Sequence, residues 1–252
     1  MWSSIKNIYI PKTFEAAIED QSNSKGVFFA GGTYLTAQKD SKIKHLIDIN
    51  NIVDKTIQIN DNSVTIGAGV NLQRIIEKLS KYKVLSDSVR YSCYSKNIRN
   101  QRTVGGEIAE RRVESELFSY LLAMNPLLDV RTPKKEIIHL RNWSGKGILN
   151  KLSFSKIDLK SSGITRFAVL PSAPAFVIVV VVRKTLELNF VISGKAKKVY
   201  GQTIKIADFN KQILEDIVNR SIKYFKDDQY GSIEYKKSLI VTGIQRAVEK
   251  IK

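Results

Sequence analysis

Cysteine, histidine and acidic side chains are scarce in this chain. Cys93 is the single cysteine among 252 residues, so no intramolecular disulfide can form. An iron–sulfur cluster normally needs four thiolates, so this chain cannot hold one alone. Cys93 lies between Tyr91 and Tyr94 and reads as a buried small apolar residue. His45 and His139 are the two histidines, and both fall in segments that read as strand or strand edge. They are too few for a zinc centre or a Ser-His-Asp site, and no metal site is expected. The longest apolar run, residues 175–182, is far short of the ~20 residues a membrane span needs. The N-terminus lacks the basic-then-apolar pattern of a signal peptide, so the chain is expected in the cytoplasm, away from membranes. Asp and Glu total 24 against 41 Lys and Arg, a net charge of +17. A field of that sign attracts nucleic acid, anionic lipid, anionic cofactors or acidic proteins. The cations are scattered rather than gathered into an arm, and no nucleic-acid motif is present, so nucleic acid is not an expected partner. Poverty in catalytic side chains suits a protein whose chemistry belongs to a bound cofactor.

Two double-glycine runs are present instead. The first is Phe28-Phe29-Ala30-Gly31-Gly32-Thr33-Tyr34-Leu35, and the second is Thr103-Val104-Gly105-Gly106-Glu107-Ile108-Ala109. Each places two glycines beside a hydroxyl residue. Glycine admits positive φ and lets a ligand approach the backbone, and consecutive N–H groups in such a loop can converge on a phosphate. Gly67-Ala68-Gly69-Val70-Asn71-Leu72 also follows a strand and opens a helix. Leu72 stands where a dinucleotide fingerprint has its third glycine, which close helix–strand packing requires, so this stretch reads as a strand-to-helix turn.

The periodicities predict mixed helix and sheet. A strand over residues 5–10 ends at Pro11, and Thr13 caps a helix. Further strands are expected at 27–30 and 46–49, and hairpins at 57–66 and 127–140. Asn71 caps a helix with Leu72, Ile75, Ile76 and Leu79 on one face. Leu117, Tyr120, Leu121 and Met124 form the stripe of another. Residues 151–162 read as a polar crossing into a second domain. Residues 176–182 read as a fully buried strand paired with 186–192, and helices close the chain, the last one capped by Ser232.

The pair of glycine runs, Asn97-Ile98-Arg99-Asn100-Gln101 before the second, the opening Tyr9-Ile10-Pro11-Lys12-Thr13-Phe14-Glu15-Ala16-Ala17 and the closing Tyr230-Gly231-Ser232-Ile233-Glu234-Tyr235-Lys236 together resemble a known family. It is the FAD-binding medium subunit of the molybdenum hydroxylases, which include xanthine dehydrogenase. The likeness is strongest to the short bacterial xanthine-dehydrogenase-like flavin subunits. The resemblance implies an α+β fold: a vanillyl-alcohol-oxidase-type (PCMH-like) FAD-binding domain over residues 1–155, with two subdomains split near 52. A small α/β domain of the CO dehydrogenase flavoprotein type would follow over 156–252. It implies non-covalent FAD between the glycine loops, with Ala30, Gly31, Gly32, Thr33, Tyr34 and Leu35 wrapping the pyrophosphate. Thr103, Gly105 and Gly106 would approach the phosphates and ribityl chain, and Ile108 and Ala109 would face the cofactor. Glu107 stands where many members have Asn, and Arg111 or Arg112 is its expected partner. Glu116, or else Glu114, holds the place of a cofactor-contacting Asp, and Phe167 that of a Lys near the flavin.

By the same resemblance the subunit is part of a flavin-dependent oxidoreductase and is inactive on substrate alone. It would carry electrons from two-iron two-sulfur clusters on a small partner, fed by a molybdopterin-binding large partner, to NAD or another acceptor. None of its own residues takes a catalytic role. The Glu107 and Phe167 departures keep open a scaffold subunit that has lost FAD, and the charge alone motivates a basic nucleic-acid-binding protein.

Overall fold

The computed structural model describes residues 2–251. They form two compact units whose segments alternate along the chain. The first contains Met1–Lys78, Ser95–Glu110 and Pro126–Ser153, and the second Leu79–Tyr94, Arg111–Asn125 and Phe154–Lys252.

In the first unit, strands β1 (Asn7–Tyr9), β2 (Val27–Phe29) and β3 (His45–Asp48) pair in parallel in the order β1-β3-β2. Parallel strands of one sheet need a crossover, and the helix Phe14–Ser24 supplies the one from β1 to β2, which flank β3. The Thr13 hydroxyl accepts from the Ala16 N–H at 3.1 Å and fixes the helix start. Lys25 takes the left-handed conformation and ends it. Ala17 and Ile47 are wholly buried, and Phe14, Ile18 and Phe28 pack around them.

A second sheet holds β4 (Ile57–Ile59), β5 (Ser63–Gly67), β6 (Leu127–Thr132), β7 (Lys134–His139) and β8 (Ile148–Ser155), in the order β4-β5-β8-β6-β7. The two expected hairpins are β4 with β5 and β6 with β7, both antiparallel. The stretch 151–162 does cross between the units, at Ser153 and Phe154, but it does so in regular structure. Its first part is the end of β8, followed by the short helix Lys156–Lys160. Leu152 and Phe154 point into the core while Lys151 and Ser153 alternate outward, and Ser153 shares a hydroxyl contact of 3.0 Å with Thr65. The polar face hid an amphipathic strand.

The second unit is built on an antiparallel sheet of β9 (Ser162–Phe167), β10 (Val177–Arg183), β11 (Glu187–Gly194) and β12 (Tyr200–Lys205), in the order β12-β11-β10-β9. Val177, Val179 and Val181 face a cluster with Ile217, Val218, Ile240, Ile244 and Ala247 from the helices Lys211–Ser221 and Ile233–Glu249. The helix Glu116–Met124 also packs on β10 and β11. There Asn189 donates to the Ala123 carbonyl at 2.9 Å, and the Ser119 and Ser193 hydroxyls meet at 2.6 Å. Both sheet faces are therefore covered, which is why the strand at 177–182 is an unbroken apolar run. The last helix comes close because Gly163 and Gly243 have no side chain. A Cβ on Gly163 would lie 2.2 Å from the Ala247 carbonyl, and one on Gly243 2.7 Å from Val179. Among the described residues no helix is long and apolar enough to cross a membrane.

Candidate cofactor site

The first unit encloses a cavity of about 320 Å³, within the range of small-molecule and cofactor pockets. Both glycine runs line it. The first leaves β2 and turns at Gly32, whose φ of +66° places it in the left-handed region. The turn is held from below: Asn50 donates through Nδ2 to the Ala30 carbonyl at 3.1 Å and to Asp48 at 2.8 Å. The Gly32 carbonyl accepts from both the N–H and the hydroxyl of Thr36. Among the described residues, the N–H groups of Gly31, Gly32, Thr33, Tyr34 and Leu35 have no acceptor in the protein. Successive donors of this kind around a left-handed residue form an anion-binding nest.

The second run differs. Leu72 N–H donates to the Arg102 carbonyl, Val104 N–H to Val70 and Gly105 N–H to Ala68, all within 3.0 Å. Gly106 N–H is taken by the Thr103 hydroxyl at 3.1 Å, and Glu107 N–H by the Thr103 carbonyl. The expectation that both runs offer free N–H groups is thus corrected: the second spends its donors on the fold. It presents surface to the cavity, not hydrogen-bond donors. The loops are also fitted to each other, since a Cβ on Gly31 would lie 2.0 Å from the Gln101 carbonyl. Gly106 behaves otherwise: its Cβ would touch only the Thr103 hydroxyl, at 3.1 Å, and otherwise reach open space.

Ala30, Gly31, Gly32, Thr33, Tyr34, Leu35, Thr103, Gly105, Gly106, Glu107 and Ala109 all line the cavity. Ile108 does not: it is wholly buried in the core. Glu107 is 2 % exposed, and its carboxylate faces Arg102 Nε at 3.7 Å. Glu116 belongs to the second unit and is absent from the cavity wall. Its buried carboxylate accepts from Arg166 Nε at 2.8 Å, while Arg166 also donates to the carbonyls of Pro171 and Ala173. Burial raises the Glu116 pKa, and Arg166 opposes that without cancelling it. Glu114 pairs with Lys195 at 2.8 Å, and Phe167 packs against the second-unit core.

One wall was missed from the sequence. Trp143, Gly145, Gly147 and Ile148 line the cavity, with Gly145 and Gly147 at φ of 91° and 80°. Trp143 anchors this turn by donating from its indole to the Lys146 carbonyl at 2.8 Å. The stretch Trp143-Ser144-Gly145-Lys146-Gly147 is a third pairing of glycines with a hydroxyl, and that was its signal. The Gly67-Ala68-Gly69 stretch turns β5 toward the helix Leu72–Lys78, and Ala68 reaches the cavity from it. Gly67 packs so closely on the Asp54 carbonyl that a Cβ would lie 2.3 Å away.

Residues 3–146 match the model of a family described as the FAD binding domain in molybdopterin dehydrogenase. The chain belongs to this family. Its cofactor is FAD, and the unengaged N–H groups at 31–35 with the bare Gly106 surface fit a dinucleotide phosphate in this cavity. The chain is 32% identical over 126 residues to the uncharacterized protein YgfM of Escherichia coli K12, a stretch that is 48% of each. It thus spans about half the length of that curated relative. The fold is similar to carbon monoxide dehydrogenase from Hydrogenophaga pseudoflava, with a TM-score of 0.79 at 16% identity over 98% of this chain and 97% of that one. Quinoline 2-oxidoreductase from Pseudomonas putida 86 gives 0.75 at 14% identity, over 98% and 96%. The family's mixed helix-and-sheet architecture, an FAD-binding domain with a smaller C-terminal domain, is the one observed here.

Proposed function

We propose that this chain is the FAD-carrying electron-transfer subunit of a xanthine-dehydrogenase-like molybdenum hydroxylase. The run of unengaged N–H groups from Gly31 to Leu35 carries the reading, because it supplies what a pyrophosphate needs and the fold itself does not use it. The flavin supplies redox chemistry in one- or two-electron steps. The chain's own residues bind and orient. The first loop would hold the phosphates by backbone donors, and Thr33 would add a hydroxyl. Gly105, Gly106 and Ala109 give a surface without bulky side chains that would receive the ribityl chain. Glu107 keeps its charge compensated by Arg102, so the anionic cofactor does not face a bare carboxylate. Neither glycine run contains His or Cys, so the cofactor is held without a covalent tether. The flavin-binding part lies before residue 155, with a C-terminal domain after it.

The partners in this reading are a molybdopterin-binding large subunit and a small subunit with two-iron two-sulfur clusters. Electrons leave to NAD or another acceptor, in the cytoplasm. The test begins with the visible spectrum of the purified chain. Flavin should be present, and acid precipitation should release it into the supernatant. Colour left in the pellet overturns the non-covalent claim, and a colourless protein that ignores added FAD favours a scaffold that has lost the cofactor. Flavin reduction by a purine or similar heterocycle should require both partner subunits. Reduction by such a substrate with this chain alone would sink the electron-transfer role.

A further inference from the structure

Among the described residues that line the flavin cavity, Arg102 is the one cation, although the chain carries 41 Lys and Arg. The carboxylates of Glu107 and Glu110 line the same cavity. Its side chains alone therefore present more negative than positive charge to a dianionic pyrophosphate. The backbone nest at residues 31–35 offers dipoles, which carry only partial charge. A full positive charge beside that nest can come from Arg102.

The fold holds Arg102 where such a charge is needed. Its N–H donates to the Ile98 carbonyl at 2.8 Å, and its carbonyl accepts from the Leu72 N–H at 2.9 Å, so its backbone is fixed from both sides. It stands directly beside the first glycine loop, since a Cβ on Gly31 would lie 3.3 Å from the Arg102 Cα. The side chain is 14 % exposed, and its Nε lies 3.7 Å from Glu107, an ion pair too long to be a hydrogen bond. Among the described residues neither Nη has an acceptor, and neither is sealed from solvent. A guanidinium whose outer nitrogens are unengaged, next to the unengaged N–H groups from Gly31 to Leu35, is a donor set suited to phosphate oxygens.

We propose that Arg102 is a direct ligand of the cofactor's pyrophosphate, with Glu107 holding the Nε side of the guanidinium and leaving the Nη groups for the phosphate oxygens. The inference rests on the flavin reading and adds to it a binding residue outside both glycine runs. It also gives the second loop a part in phosphate binding that its own N–H groups, spent on the fold, do not play. Arg102 is then more than the counter-charge of Glu107.

The flavin-free full chain is titrated with FAD, followed by flavin fluorescence, and separately with ADP, followed by calorimetry. ADP carries the same phosphate linkage without a flavin. Arg102→Met should weaken both ligands by roughly tenfold or more. The deciding comparison is Glu107→Gln against Glu107→Gln/Arg102→Met. With the carboxylate gone, an arginine that merely neutralised it becomes dispensable, and the two variants would bind alike. A pyrophosphate ligand costs roughly tenfold or more in that background too. The proposal is overturned if Arg102→Met binds as the wild type does, or if the two Glu107→Gln proteins bind alike. ADP binding that depends on Arg102 in a protein that ignores FAD would overturn the flavin reading and leave this one standing. FAD binding that is indifferent to Arg102 does the reverse, and no binding of either ligand overturns both. Melting curves without ligand verify that each variant is folded. Arg102→Met leaves buried Glu107 without this counter-charge, so if that variant unfolds, the pair of Glu107→Gln proteins still decides.

Discussion

Gly106→Ala separates cofactor contact from folding more cleanly than any other glycine change in the site. The new Cβ would meet only the Thr103 hydroxyl, at 3.1 Å, and its remaining surroundings are open. Gly106 sits inside the helix Val104–Glu110, where Ala is favoured over Gly by up to about 1 kcal/mol. The close hydroxyl contact offsets part of that gain. Stability of the flavin-free protein should therefore change by less than about 1 kcal/mol, a melting shift within about 4 °C for a chain of this size. In the loaded protein the methyl group enters space assigned to the cofactor. Overpacking of one methyl typically costs about 1–3 kcal/mol, which raises Kd for FAD by roughly 5- to 150-fold. Gly31→Ala is a poor substitute, because its Cβ would strike the Gln101 carbonyl at 2.0 Å and disturb the loops whether or not a ligand is bound. The assay is titration of the flavin-free protein with FAD, followed by flavin fluorescence, beside melting curves of the same samples. Affinity within twofold of wild type, with melting unchanged, would show that the cofactor does not occupy this space and would remove the second loop from the site.

Asn50→Ala removes the side chain that holds the Ala30 carbonyl, and a lost hydrogen bond of about 1 kcal/mol should weaken FAD roughly fivefold; unaltered affinity would mean the first loop needs no such support. Burial pushes the Asp54 pKa up, but bonds from Lys151 and Thr56 outweigh it, so the folded value lies below the usual 3.8. Its stabilisation is thus full above that pH and fades as pH falls through the folded value. Urea midpoints of Asp54→Asn should be lower than wild type near neutrality and converge with it in acid, whereas a constant gap at all pH values would refute the assignment. Lys236 is wholly buried, its ammonium 2.6 Å from Asp228 and 2.6 Å from the Lys226 carbonyl. Lys236→Met strands both acceptors and should cost about 3–5 kcal/mol, a melting loss on the order of 10 °C, and a loss of only a degree or two would show that the pair is dispensable.

The local grammar of this fold is written plainly in the chain. Thr13, Asn71, Ser115, Asn210 and Ser232 each accept from an N–H three residues on, and short polar side chains before apolar periodicity signal such caps. The hairpins at 57–66 and 127–140 follow from alternation around turn residues. What escaped depends on partners distant in sequence. Whether an N–H in a glycine loop is free is decided by what lies opposite. Ala68 and Val70 accept from Gly105 and Val104, and Thr103 takes the next two donors of the second loop, while the first loop keeps its own. The same holds for Glu116, whose partner Arg166 is fifty residues away on another element. The Trp143–Gly147 turn was overlooked because its glycines follow a tryptophan rather than a strand. A linear reading also cuts the chain once, near residue 155, whereas burial distributes its segments between two units.

That distribution has a consequence for how the protein is made. The chain passes between its units five times, the last time between Ser153 and Phe154. The helices Lys83–Ser92 and Glu116–Met124 belong with a sheet whose central strands are β10 and β11. During synthesis Leu121 leaves the ribosome roughly seventy residues before Phe190, an interval of about 4–14 s at usual elongation rates. For those seconds apolar stripes that end up wholly buried have no sheet to rest on. Neither unit corresponds to a segment that could be cut out, expressed or exchanged by recombination as a single stretch, so the two are inherited together.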